Sequence, residues 1–186
     1  YDNRFQITGK KEIAMELPLW GGFYAGSDGY YLVEGQNNTA EDSSAEVIRV
    51  IRYDTNWNRN GAASITSNPD LFGGEVRYPF DYGCVEMTET NGTLYIVTAH
   101  EGYVDPSVGQ GHQGFLMIAV DQASMTGKIV RSDLWHSFAQ YIKSNSSNLY
   151  VLEQSEGSRC TKLSRYDSTT LEKKTIELLS YGGSRT

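Results

Sequence analysis

Three stretches of the chain align around a tyrosine, and that alignment limits the possible folds more than any other feature. They are Asp28-Gly-Tyr-Tyr-Leu-Val-Glu34, Asn91-Gly-Thr-Leu-Tyr-Ile-Val-Thr98 and Ser147-Asn-Leu-Tyr-Val-Leu-Glu153. Each joins a turn signal to an apolar-aromatic run, with Tyr31, Tyr95 and Tyr150 in register at spacings of 64 and 55 residues. Each is followed by a second β-rich run ending in Asp54, Asp121 or Asp167, and then by a third at 62–65, 128–131 and 173–179. A further run precedes each turn, at 22–26, 84–88 and 137–143. Asp-Gly and Asn-Gly between apolar runs are strong hairpin signals. The unit is therefore four short strands in a meander, and such units in series predict an all-β fold of β-propeller type.

The boundaries follow. Residues 19–66, 80–132 and 136–179 read as three blades. Residues 1–18 read as the last strand of a preceding blade, and 180–186 as the start of the next. The terminal assignments rest on the likeness of Lys10-Lys-Glu-Ile-Ala-Met-Glu-Leu17 to Lys173-Lys-Thr-Ile-Glu-Leu-Leu-Ser180. Leu134, Phe138, Tyr141 and Ile142 also fit helical spacing, but the register favours a strand there. Rings of this kind usually hold four to eight blades. The remaining blades are thus expected from the same or another chain, and the start at Tyr1, without an initiator Met, fits a segment removed upstream.

Composition narrows the function classes. The 16 basic and 23 acidic residues leave a net charge of −7, a poor match for nucleic acid or anionic membranes. Its longest apolar run, Phe115 to Val120, is far short of a membrane span. The apolar fraction of 39% and 19 glycines exclude a disordered chain, a coiled coil and a collagen. Cys84 and Cys160 fall on strands at different depths in their blades. Two free, largely buried thiols are expected rather than a disulfide, which needs Cα atoms within about 7 Å.

All three histidines fall on loops that an up-and-down meander brings to one face. His100 and His112 flank a loop read from about residue 99 to 114, and His136 lies where the chain enters the third blade. Rigid scaffolds concentrate binding groups on such loops. The candidate ligand-binding residues are His100, Glu101, Tyr103, His112, Gln113, Trp135 and His136. Their spacing matches no recognised zinc pattern, so no metal and no cofactor is expected. Glu101, Asp105, Glu153 and Glu156 are the carboxylates from which a catalytic pair would be drawn.

Gly111-His-Gln-Gly-Phe-Leu-Met-Ile-Ala-Val-Asp121, Trp135-His-Ser-Phe-Ala-Gln140 and Glu153-Gln-Ser-Glu-Gly-Ser-Arg159 together resemble a group of uncharacterised bacterial cell-surface and secreted β-propeller proteins, over about residues 83–167. The turn at 153–159 departs from that group, where a His- and Asp-containing turn is usual. The resemblance implies export, to the cell surface or the extracellular space, and a propeller fold. It implies no reaction. Two function classes are carried forward. One is a binding module for a protein or glycan ligand, for which 13 Tyr and 3 Trp supply recognition surface. The other is a hydrolase or lyase acting on glycan through a His/Glu site on the same face.

Overall fold

Alternating apolar and polar residues between Asp-, Asn- and Gly-containing turns produce three antiparallel sheets, each a meander in chain order. The computed structural model describes residues 2–67, 75–81, 85–107, 109–133, 136–155 and 157–182. The first sheet holds β1 (Leu19–Ala25), β2 (Tyr30–Gly35), β3 (Glu46–Tyr53) and β4 (Arg59–Thr66). The second holds β5 (Tyr78–Pro79), β6 (Glu86–Thr90), β7 (Thr93–Asp105), β8 (Gln110–Asp121) and β9 (Thr126–Asp133). Both β5 and β6 pair with β7, at different heights. The third holds β10 (Ser137–Ser144), β11 (Asn148–Ser155), β12 (Cys160–Asp167) and β13 (Lys173–Ser180). Among the described residues there is no helix and no closed ring. The segment with helical spacing before residue 143 is β10, because β11 supplies backbone partners from Ser155 to Leu149.

The middle sheet buries both faces. Leu94, Ile96, Leu116 and Ile118 pack with Tyr31, Val33, Ile48 and Val50 of the first sheet. Tyr95, Val97, Phe115 and Met117 pack with Ile142, Leu149, Val151 and Tyr166 of the third. Side chains alternate across a strand, so one residue step along β7 changes which neighbour is met. Tyr31 therefore faces the sheet that follows it in the chain, and so does Tyr95. Gln122 Nε2 donates to the Tyr31 hydroxyl at 3.1 Å, and the Tyr95 hydroxyl donates to the Ser168 carbonyl at 3.1 Å.

The turns between third and fourth strands share one construction. Asp54, Asp121 and Asp167 each accept backbone N–H bonds on Oδ1, from Asn56 and Asn58, from Ser124, and from Thr169 and Thr170 respectively. The Asn58 side-chain amide on Asp54, together with its backbone bonds, and the backbone bonds on Asp121 and Asp167 hold all three carboxyls below the usual aspartate range. Each turn then places a large apolar residue at positive φ: Trp57 at 64°, Met125 at 52° and Leu171 at 56°. Such backbone is unfavourable for these residues. Burial offsets it: Met125 joins the core between the first two sheets, and Leu171 packs against the core between the second and third. The Asn91-Gly92 hairpin has φ of 52° and 74° at its two central residues, the geometry that favours this dipeptide.

Two expectations are corrected and two others fall outside the described residues. Residues 2–18 form no strand, although 10–17 resemble β13. A strand needs a backbone partner, which β12 gives to β13 and, among the described residues, no strand gives to 10–17. Side chains hold that segment instead. Glu34 Oε2 accepts the N–H groups of Glu16 and Leu17 at 2.7 and 2.8 Å, and Glu16 bridges Arg49 and Arg59 at 3.1 and 2.5 Å. The long loop expected over 99–114 is mostly strand, because β7 and β8 continue to a tight turn after Asp105. Cys160 is a free, buried thiol, whereas Cys84 lies outside the described residues. The start of a further blade falls mainly on 183–186, also outside them.

Candidate functional site

The β7–β8 hairpin is the longest among the described residues, with strands of 13 and 12 residues against 6 and 8 for its counterpart β2–β3. Its far end is pinned by Asp105 Oδ1, which accepts the Ser107 N–H at 2.8 Å and its hydroxyl at 2.6 Å. Gly109, at a φ of 66°, closes the turn by donating its N–H to the Asp105 carbonyl at 2.8 Å. The expected convergence of backbones is present here. His100 pairs with Gly114, two residues beyond His112, and the His136 N–H donates to the Gln113 carbonyl at 3.2 Å.

The side chains divide. His100 is fully enclosed, and neither ring nitrogen meets a hydrogen-bond partner of good geometry among the described residues. Burial, offset only in part by the Gly114 backbone, lowers its pKa to about 4. It is a neutral, packed imidazole at neutral pH and is removed from the ligand-contacting set by its burial. His112 is half-buried, with Nε2 3.9 Å from Asp105 Oδ2. His136 is exposed and adopts a φ of 47°. Gln113 is buried and donates through Nε2 to the Asp81 carboxylate at 3.0 Å and carbonyl at 3.2 Å. Only the backbone of Tyr103 is described, on β7, and Trp135 lies outside the described residues.

Glu101 is committed to an ion pair. Arg77 Nη1 donates to its Oε1 at 2.6 Å, while Arg77 Nε lies 3.2 Å from Glu41 Oε1. The Arg77 guanidinium also lies 5.0 Å from the Tyr78 ring centroid. Arg77 thereby ties the β2–β3 loop of the first sheet to β7 of the second. The sequence marks Glu41 only as a charged residue on the loop after the second strand of the first blade, and offers no pattern for Arg77 or Asp81, which lie at or outside the start of the 80–132 unit. Replacing Arg77 with Ala leaves two half-exposed carboxylates without their cation. The expected cost is about 1–2 kcal/mol, discounted from buried pairs for solvent screening. Urea denaturation of the variant against Arg77→Lys, which keeps the charge, checks it.

Of the other carboxylates proposed for catalysis, Glu153 is fully buried and burial raises its pKa, with Lys162 Nζ 3.8 Å away opposing the rise. Enclosure keeps it from a polysaccharide. Asp105 caps its turn, and Glu156 lies outside the described residues. What this end presents is a projecting hairpin with His112 beside its turn and the Gln113 amide and Arg77–Glu101 pair behind it. Such groups donate and accept hydrogen bonds. Among the described residues, no three His, Cys, Asp or Glu side chains gather as a metal site. No protein-family model matches the chain, and no curated protein matches it.

Proposed function

We propose that the three sheets are consecutive blades of a β-propeller that acts as a binding module, extracellular or on a bacterial cell surface. In this reading it takes a protein or glycan ligand at the end from which β7–β8 projects. The observation that carries the binding reading is that His112, beside the turn of that long hairpin, and the exposed His136, whose N–H meets the Gln113 carbonyl next to it, lie at one end of the second sheet. Polar side chains fixed by a packed scaffold bind without first being ordered. The blade reading is supported by the shared use of each sheet: the Tyr31 and Tyr95 faces each receive the sheet that follows. The resemblance of 83–167 to exported propeller proteins supports the location. Further blades, in the same or another chain, complete the ring in this account.

The test is a binding screen on purified bacterial and plant polysaccharides and on extracellular matrix proteins, followed by the His112→Ala/His136→Ala double variant. The expected result is a loss of affinity of about tenfold or more, with thermal stability unchanged. Equal affinity in the double variant removes the site assignment.

A further inference from the structure

We propose that the outer face of the third sheet docks onto the outer face of the first sheet of a second copy of this chain, so that two copies join head to tail. The inference rests on the blade reading and adds a specific partner and contact.

The third sheet turns an apolar row outward. Tyr141, Leu152, Leu163 and Ile176 stand side by side across all four strands, with Tyr141 53% and Ile176 58% exposed. The register makes this face the counterpart of the Tyr31 and Tyr95 faces, both of which are covered by the following sheet. Tyr150 and its cross-strand neighbour Arg165 occupy the places of Tyr31 and Arg52. Arg52 donates to the Gln122 carbonyl of the following sheet, in the residue after Asp121. Arg165 is exposed, and the Tyr150 hydroxyl accepts a 3.4 Å bond from Asn145 of its own sheet's first turn.

The first sheet carries the complementary surface. Phe23, Leu32, Ile51 and Ala62 form its outward row. Trp57 stands where Met125 and Leu171 stand in the turns that plug into a preceding sheet. A groove of about 820 Å³ opens beside it, lined by Trp20, Phe23, Tyr30 and Trp57 together with Lys11 and Ile13 of the N-terminal segment.

That surface already holds a segment resembling β13. Ile13 packs on the Leu32–Ile51–Tyr53 cluster, and Lys11 Nζ donates to the Trp57 carbonyl at 2.7 Å. Lys11 and Ile13 align with Lys174 and Ile176 of β13. The second and third sheets meet through the same kind of bond: Arg131 Nη2 donates to the Leu171 carbonyl at 2.7 Å. The face therefore accepts a Lys-x-Ile edge, and β13 of another copy presents one on a complete sheet. A head-to-tail contact closes only if the rotation allows it. In the joined state Ile176 and Lys174 replace Ile13 and Lys11, so residues 10–16 compete with the second copy.

The test is the mass of the full chain in solution up to millimolar concentration, by sedimentation equilibrium. The expected result is a monomer–dimer equilibrium that Ile13→Asp tightens by about tenfold. Ile176→Asp and Phe23→Asp, both at exposed positions, each abolish the dimer alone. Mixed, they restore a dimer, since one intact face remains on each variant. A single-chain mass throughout, in Ile13→Asp as well, overturns the proposal. So does a dimer that survives in Phe23→Asp, which would mean pairing of third sheet to third sheet. Neither outcome bears on the blade reading, which is judged within one chain by the Tyr31 and Tyr95 hydroxyls.

Discussion

Ile118→Ala and Met117→Ala are each expected to lower stability by about 3 kcal/mol, and to do so on opposite sides of the middle sheet. The two residues are neighbours on β8, and both are fully buried. Ile118 lies in the core shared with the first sheet, and Met117 in the core shared with the third. Truncating either leaves a cavity that the close-packed sheets collapse into only partly. Amide exchange locates the damage. Ile118→Ala should speed exchange in β2, β3 and β7, whereas Met117→Ala should speed it in β11 and β12. Ile176→Ala, on the open face of the third sheet, should stay within about 0.5 kcal/mol. Equal protection losses across all three sheets for both core variants would show one undivided core, contrary to the arrangement described.

The enclosed His100 is expected to make stability fall by about 3 kcal/mol between pH 7.5 and pH 4. Its folded pKa of about 4 lies below the ordinary value of 6.5. The unfolded chain therefore takes up a proton that the folded chain refuses, and the loss accumulates as pH falls from about 6.5 to about 4. Asp54, Asp121 and Asp167 act lower. Their folded pKa values are depressed, so their contribution is full above the usual aspartate range and is lost as pH falls through the folded values. Glu153 opposes His100: its raised folded pKa gives stability present at low pH and lost as pH rises through that value. Comparing the chain with His100→Leu isolates the histidine. The variant should lose about 3 kcal/mol less than the parent across that window. Parallel pH profiles would show that His100 is hydrated or charged in the folded chain.

The sheets were legible because their signals are local. Asn91-Gly92 demands a two-residue turn, and an Asp closing each third strand caps the turn after it. Alternation then assigns faces, as Tyr95 and Ile96 show by entering different cores. Longer-range pairing was less readable. Glycines at 102, 109, 111 and 114 made the β7–β8 extension look like loop, yet Gly111 and Gly114 sit in strand where neighbours come close. A Cβ on Gly111 would collide with the Glu101 carboxylate, and one on Gly114 with the Asp133 carbonyl. The absent strand over 2–18 had the right side chains and lacked a partner, which no single-segment pattern reveals. At the site, topology brought the backbones of His100, His112 and His136 to one end, as the meander requires. Side-chain direction decided the rest. His100 turned into the sheets, and Arg77, drawn from a segment without a pattern, took Glu101.

The central claim is that each sheet offers its tyrosine face to the sheet that follows. Tyr31, Tyr95 and Tyr150 test it directly, because they share one position in three sheets, and among the described residues a following sheet covers only the first two. Tyr31 exchanges hydrogen bonds with Asp28 and Gln122, Tyr95 donates to Ser168, and Tyr150 faces outward. The measurement is the urea-unfolding free energy of the three Tyr→Phe variants at monomeric concentration. Tyr31→Phe and Tyr95→Phe should each cost about 1 kcal/mol, the net worth of an intramolecular hydrogen bond, and Tyr150→Phe close to nothing. Equal losses at all three positions, or none at Tyr31 and Tyr95, would contradict it.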